Sequence, residues 1–316
     1  MSREPAVHGI HHVTALAGDP QTNLDFWVGV LGMRLVKRSV NQDDPSLYHL
    51  FYADAAGTPG TDVTFFPRRG MAPARPGVGQ VGEVALAVPA DALEWWDDRI
   101  ERHGGSIAGR ESRFGAPALT LVDPDGLPLA LVGIEQERDF APWEASPVPV
   151  ERQVRGVHAV RIALRDAGPT ERLVEETMGF EPAGEEDGWR RWSTGGGSGC
   201  HLELREEPDR SNGRWGAGGV HHVAWRVADA AEEDALREAL LRAGMRPTDP
   251  IDRFWFRSVY FREPGGTLFE LATDGPGFDR DESPAALGER LVLPPWMEER
   301  REAIESALPT LEVPAP

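Results

Sequence analysis

One pattern recurs four times along this 316-residue chain, and it constrains the fold more than any other feature of the sequence. GIHHVTALAGDPQTNLDFWVGVLGM from Gly9 and GVHHVAWRVADAAEEDALREALLRAGM from Gly219 share a β-branched strand with a double histidine, an Asp-containing turn and an amphipathic helix ending at Gly-Met. Weaker copies start at Gly82 and Gly156. Each copy continues in apolar stretches broken by Gly or Pro, such as SVYFREPGGTLFELAT, the pattern of a strand hairpin. The unit reads as βαβββ, an α+β arrangement in which helices cover one side of a curved sheet. Helices are expected to start at Asp19-Pro20 and Asp91 and to stop at Gly104 and Gly244.

Linker composition divides the units. PRRGMAPARPGVG spans residues 67–79 and EQERDFAPWEASPVPVERQ spans 135–153, the latter being the stronger boundary. Residues 1–134 then hold units one and two, and residues 154–273 hold units three and four. Residues 274–316 form a Glu-, Arg- and Pro-rich outer arm with one helix, PWMEERREAIESAL. Cys200 is the only cysteine, which excludes an internal disulfide and a Cys-rich zinc cluster. A net charge of -19, from 52 acidic against 33 basic residues, repels phosphate backbones, so no nucleic acid partner is expected. Lys37 is the one lysine among those basic residues. Without an apolar leader or a run of about 18 apolar residues, a cytoplasmic location and no membrane partner are expected.

Alternate residues of a strand share a face, so only one histidine of IHHVT can point with Thr14 to the concave side. That residue is His12, and His222 is its repeat mate. In GTLFELAT, Glu270 stands between Phe269 and Leu271, a carboxylate whose burial is costly unless a cation meets it. Two neutral imidazoles and one carboxylate on facing strands make the triad typical of non-haem iron(II) oxygenases. A single buried histidine is more often a hydrogen-bonded core residue, but two equivalent HHV strands with a matching Glu argue against that reading. Trp225, Phe254, Trp255 and Phe256 could wall a pocket for a flat ring, although core packing is the commoner use of such residues. His201 and Glu203 imitate a ligand pair, and their alternation reads as an amphipathic edge strand.

Nearly the whole chain resembles the ring-cleaving dioxygenases of the vicinal-oxygen-chelate superfamily, specifically the hydroquinone type (2,6-dichlorohydroquinone dioxygenase-like). The stretches that carry the likeness are HHVTALAGD, VKRSVNQDDPSLYHLFYADAAGTPGT, LEWW, RFG, EPDRSNGRWGAGGVHHVAW and DRFWFRSVYFREPGGTLFE. The resemblance implies four βαβββ modules closing into two curved mixed-sheet barrels. It also implies His12, His222 and Glu270 as ligands of iron(II), with manganese(II) as a substitute, and a small aromatic substrate cleaved with dioxygen.

Catechol-type relatives take their first histidine from the third unit. Here GVHAVR laid on GVHHVA puts His158 opposite His221 and Ala159 opposite His222, so the first unit must supply His12. Units one and four should therefore pair around the metal, leaving units two and three as a metal-free pair with Glu83, Ala159 and Glu203 at the matching positions. Glyoxalase-like isomerases fill a fourth ligand position, but the residue matching Glu270 in unit one is Thr64, a poor iron ligand.

The resemblance further implies that His11, Thr14, His221, Arg253 and Tyr260 brace the ligands or contact substrate. Strict alternation turns His11 and His221 away from the metal unless the strands bulge. Arg253 and Tyr260 fall at opposite ends of the strand before the Glu270 hairpin. The activity the resemblance implies is extradiol-type, insertion of both atoms of dioxygen into a hydroquinone or catechol ring, with His221 or Tyr260 moving protons. The rivals are a metal-dependent isomerase or lyase, told apart by whether turnover consumes dioxygen, and a metal-free small-molecule binder of the same fold. A homo-oligomer is compatible with the sequence.

Overall fold

The computed structural model describes residues 5–136, 138–195 and 197–313. Each repeat folds as βαβββ. Unit one comprises β1 (Ile10–Ala17), α1 (Pro20–Leu24), β2 (Arg34–Val40), β3 (Tyr48–Ala53) and β4 (Asp62–Pro67). Unit two comprises β5 (Gln80–Pro89), α2 (Leu93–Arg102), β6 (Gly109–Arg113), β7 (Ala116–Val122) and β8 (Pro128–Ile134). Unit three comprises β9 (Gly156–Leu164), α3 (Gly168–Glu176), β10 (Glu181–Glu186), β11 (Trp189–Ser193) and β12 (His201–Glu206). Unit four comprises β13 (Val220–Val227), α4 (Ala230–Arg242), β14 (Ile251–Asp252), β15 (Arg257–Arg262) and β16 (Leu268–Thr273).

The strands assemble into two curled mixed half-barrels of eight strands. One runs β14-β15-β16-β13-β1-β4-β3-β2 and the other β10-β11-β12-β9-β5-β8-β7-β6. Strands of units one and four thus share the first sheet, and strands of units two and three share the second. The seams are antiparallel, β1 on β13 and β5 on β9, whereas β1 runs parallel to β4 and β13 to β16. Helices bury one stripe each against the sheets: Trp96 with Ile100 in α2, and Leu236 with Leu240 in α4, pairs spaced by one turn. Each such side chain contributes about 1.5–3 kcal/mol of burial.

Helix starts follow the expected chemistry in two units and depart from it in a third. Asp19 accepts the backbone N–H groups of Gln21 and Thr22, with Pro20 at the first helical position, and Asp229 caps α4 in the same way. Asp91 does not cap α2. It lies inside a 3-10 turn, Ala90–Ala92, that feeds the helix without a side-chain cap. After α1 the backbone widens into a π-helical stretch, Asp25–Val30, which carries Trp27 into the core. Among the described residues no helix is long and apolar enough to cross a membrane.

The C-terminal arm leaves β16 and lies along the outer edge of the first sheet. Leu291 bridges Arg38 of β2, and Phe278, Leu287 and Val292 are buried. The anticipated single helix is divided into a 3-10 segment, Pro295–Arg300, and α5, Arg301–Ala307. Gly288 has φ +79, and a Cβ there would run into the Leu35 carbonyl oxygen. Gly288→Ala is therefore expected to cost more than the ~1–2 kcal/mol of a left-handed backbone alone, read as a lowered urea midpoint. An unchanged midpoint would show that the arm does not seat on β2.

Candidate metal centre

Two β-bulges at the β1–β13 seam build the centre. Ile10 pairs with Trp225 and His12 with Ala224, which leaves His11 as an extra residue on β1. Thr14 pairs with His222 and Ala15 with Val220, which leaves His221 as an extra residue on β13. A bulge breaks alternation by one residue, so both members of each double histidine can face the same region. His11 Nδ1 lies 2.9 Å from His12 Nδ1, and His221 Nδ1 lies 2.8 Å from His222 Nδ1.

These contacts decide how the inner imidazoles point. His12 Nε2 and His222 Nε2 approach to 3.2 Å, and Glu270 Oε2 lies 3.4 Å from the first and 2.9 Å from the second. If each Nε2 is to offer a lone pair, each Nδ1 must carry the proton and donate it to the neighbouring histidine. His11 and His221 are thus the acceptors that hold the inner rings in one tautomer, an arrangement common around metal-bound imidazole.

The donor set fits one divalent ion. Donors at about 2.1 Å from a metal and at right angles to one another lie about 3 Å apart, close to the three distances observed. His12, His222 and Glu270 are 2%, 4% and 0% exposed, so solvent cannot neutralise the carboxylate. Ser258 Oγ donates to Glu270 Oε1 at 2.5 Å, but Oε2 is buried without a hydrogen bond, although two nitrogens are near. Short distances without hydrogen-bond alignment are what lone pairs converging on one point produce. Burial would raise the Glu270 carboxyl; without a metal, the positive charge that His12 and His222 carry when protonated outweighs it and holds the carboxyl well below the carboxylate range, and a bound cation would take that part when the imidazoles are neutral. Among the described residues this is the one His/Cys/Asp/Glu group whose ligand atoms converge in this way.

Above the triad opens a narrow cavity, lined in part by Phe51, Phe66, Arg253, Trp255, Phe256 and Tyr260. Tyr260 pairs with Glu270 across β15–β16, and its ring stands 5.6 Å from that of His222. Burial and then the Glu270 charge push its phenol above the ordinary tyrosine value. Arg253 is not on β15, where the sequence pattern places it; it lies in the loop between β14 and β15. Its guanidinium is 5.4 Å from the Tyr260 ring and 2.9 Å from Asp43. Thr14 pairs in register with His222 across the seam. Its hydroxyl bonds Thr64 at 2.8 Å, and Thr64 bonds His49 Nε2 at 2.9 Å.

His49, Asn41, Gln42 and Asp43 also line the cavity, and sequence reasoning assigned them no part. Their signal lay in the stretch VNQDDPSLYHL, where His49 falls on the concave face of β3 in step with Phe51. Of the four aromatics weighed for the pocket, Trp255 and Phe256 line it, whereas Trp225 is core.

The second half-barrel repeats the bulges and answers its buried charge differently. Gly82 and His158 are the extra residues there, so Glu83, Ala159 and Glu203 take the triad's positions. Arg113 pairs with Glu83 at 2.5 Å, and Glu203 is held by Arg161 at 2.6 Å and Arg191 at 2.5 Å. Burial would raise the Glu203 carboxyl, and the two guanidiniums outweigh it. The cation at these carboxylates is the chain's own arginine.

Residues 9–131 and 156–271 match the family described as the Glyoxalase/Bleomycin resistance protein/Dioxygenase superfamily. The chain belongs to this superfamily. Among its relatives, MhqA of Bacillus subtilis (strain 168), named as a ring-cleaving dioxygenase by inference, is 40% identical over 314 residues, spanning 97% of this chain and 99% of that protein. The chlorohydroquinone/hydroquinone 1,2-dioxygenase of Sphingobium indicum is 33% identical over 301 residues, spanning 92% and 93%. A Bacillus subtilis crystal structure, also named a dioxygenase by inference, superimposes with TM-score 0.93 at 38% identity over 98% of this chain and 99% of its own. Maize glyoxalase I, with TM-score 0.62 at 17% identity over 84% and 92%, shares the superfamily fold alone.

His11 and His221 give the protein an acid response. Burial and the charge of their neighbours lower His11 and His221 to about 3, against about 6.5 in an unfolded chain. Below pH 6.5 the unfolded state takes up protons that the folded state refuses. Stability is then fully present above about pH 6.5 and lost as pH falls toward 3. The slope should approach about 1.4 kcal/mol per pH unit for each histidine. Urea denaturation of the metal-free protein between pH 7.5 and 4.5 measures it, and a flat profile would mean that the two imidazoles are not held neutral.

Proposed function

We propose that this protein is an iron(II)-dependent ring-cleaving dioxygenase of hydroquinone-type aromatics, with His12, His222 and Glu270 as metal ligands and manganese(II) as a substitute. The observation that carries the reading is the convergence of two imidazole nitrogens and one buried, otherwise unsatisfied carboxylate oxygen at the floor of an aromatic-walled cavity. Two neutral donors and one anion leave a ferrous ion one net positive charge and free positions on the cavity side. Bound iron(II) would supply Lewis acidity toward a phenolate and electrons toward dioxygen.

The chain's own groups do the rest on this reading. Phe51, Phe66, Trp255 and Phe256 present apolar faces that fit a flat ring and exclude water. Arg253 stands at the cavity wall, where a guanidinium stabilises negative charge on a ring oxygen. Tyr260, its phenol held protonated by burial, donates a hydrogen bond and returns a proton. His11 and His221 keep the ligand rings aligned. An isomerase of the same fold would need a fourth protein donor, and Thr64 is instead committed to Thr14 and His49.

Protein loaded anaerobically with iron(II) should hold about one ion per chain and consume dioxygen with hydroquinones. His12→Ala, His222→Ala and Glu270→Ala should each lose both metal and turnover. Full iron retention in His12→Ala would refute the ligand assignment. Arg253→Ala should keep its iron yet lose roughly 10- to 1000-fold in kcat/KM, about 1.4–4 kcal/mol, with Arg253→Lys recovering part of it. Wild-type turnover in Arg253→Ala, followed with an oxygen electrode, would remove this residue from the substrate site.

A further inference from the structure

Among its described residues the C-terminal arm supplies no donor to the metal centre, yet it holds the loop that forms one wall of the cavity. That loop, residues 253–256, contributes Arg253, Trp255 and Phe256 to the lining. Within it Phe254 has φ +77, a left-handed conformation that a bulky residue keeps only where its surroundings impose it.

The arm imposes it from one side. Arg280 donates from Nη1 to the Phe254 carbonyl oxygen at 2.5 Å and lies 4.2 Å over the Phe254 ring. The Gly277 N–H donates to the Trp255 carbonyl at 2.8 Å, and the Trp255 indole N–H donates to Asp281 Oδ1 at 3.1 Å. From the other side, Gln42 donates to the Arg253 carbonyl at 2.9 Å.

The arm is itself latched to the sheet by the one lysine of the chain. Lys37 on β2 is 0% exposed, and its ammonium donates to Asp281 Oδ1 at 2.8 Å, Glu282 Oε2 at 2.6 Å and the Phe278 carbonyl at 3.0 Å. Buried ion pairs of this kind add little net stability over apolar packing. Their geometric demand is strict, because an ammonium without its carboxylates would be stranded. Asp281 takes part in both the latch and the brace on Trp255, so fastening the arm and shaping the loop are one event.

We propose that Arg280 and Asp281 are positioning residues for the substrate site: the arm, latched by Lys37, holds Phe254 in its strained conformation and thereby aims Arg253 into the cavity. The proposal rests on the functional reading above for what Arg253 meets there. Arg280 is exposed, so Arg280→Ala should fold and keep its iron.

Anaerobic calorimetry with hydroquinone on the iron(II)-loaded protein should show Kd raised roughly 10-fold in Arg280→Ala and in the same direction in Asp281→Asn. Arg280→Lys, which retains a donor for the Phe254 carbonyl, should restore part of the affinity. In an Arg253→Ala background, removing Arg280 should change Kd by less than about 2-fold, since the two act through one contact. Wild-type affinity in Arg280→Ala, or an undiminished effect in that background, would overturn the proposal. If the wild-type protein binds no hydroquinone, the functional reading fails and the arm is judged separately by hydrogen exchange of amides 253–257. Faster exchange in Arg280→Ala supports the brace, and unchanged exchange overturns it.

Discussion

A carboxylate buried in an apolar strand is the constraint on which the first half-barrel depends. Glu270 has one oxygen satisfied by Ser258 and the other aimed at two imidazoles. Leaving that charge alone in a dry interior would cost far more than any one packing contact returns. The surrounding structure is arranged so that a cation can sit there: the bulges bring the histidines to the seam, and their partners set the tautomers.

The second half-barrel shows that the fold has another answer to the same problem. Residues at equivalent positions in the two sheets differ in one respect that decides the outcome. Opposite Glu270 stand Ala224 on β13 and Tyr260 on β15; opposite Glu203 stand Arg161 on β9 and Arg191 on β11. Small and neutral neighbours leave room and charge for an external ion, whereas two guanidiniums fill both. The bulges persist in either half, so they belong to the curvature of the seam, and in the first half they bring the histidines together.

The repeat made the fold class legible, because four copies of one strand–helix–hairpin pattern admit few architectures, and the buried Glu within FEL pointed to its cation. The positions of His11 and His221 were not legible, since strict alternation turns them away and a bulge leaves no mark in HHV itself. Arg253 was placed at one end of the strand before the Glu270 hairpin; the structure puts it in a loop whose left-handed Phe254 no propensity suggests. The arginines over Glu83 and Glu203 come from separate strands, and cross-strand pairing of charges cannot be read along one line of sequence. His49 was hidden for a related reason: its neighbours Thr64 and Thr14 lie on β4 and β1.

The cavity above the triad is assembled from four separate parts of the chain, which has consequences for how selectivity can change. The β2–β3 loop brings Asn41, Gln42 and Asp43, the sheet brings His49, Phe51 and Phe66, the β14–β15 loop brings Arg253 to Phe256, and the arm braces that last loop. Only the sheet residues share the rigidity of the metal floor, since their backbones lie in paired strands. Arg253 and Trp255 lie on the loop outside the paired strands, whereas Phe256 packs 5.3 Å from the His12 ring and is tied to the donor set. The floor of donor residues is thus built on elements separate from the loop walls, and the wall built by the β14–β15 loop is tied to a segment outside the repeats. A substitution in the arm is therefore expected to affect ring binding before it affects the metal.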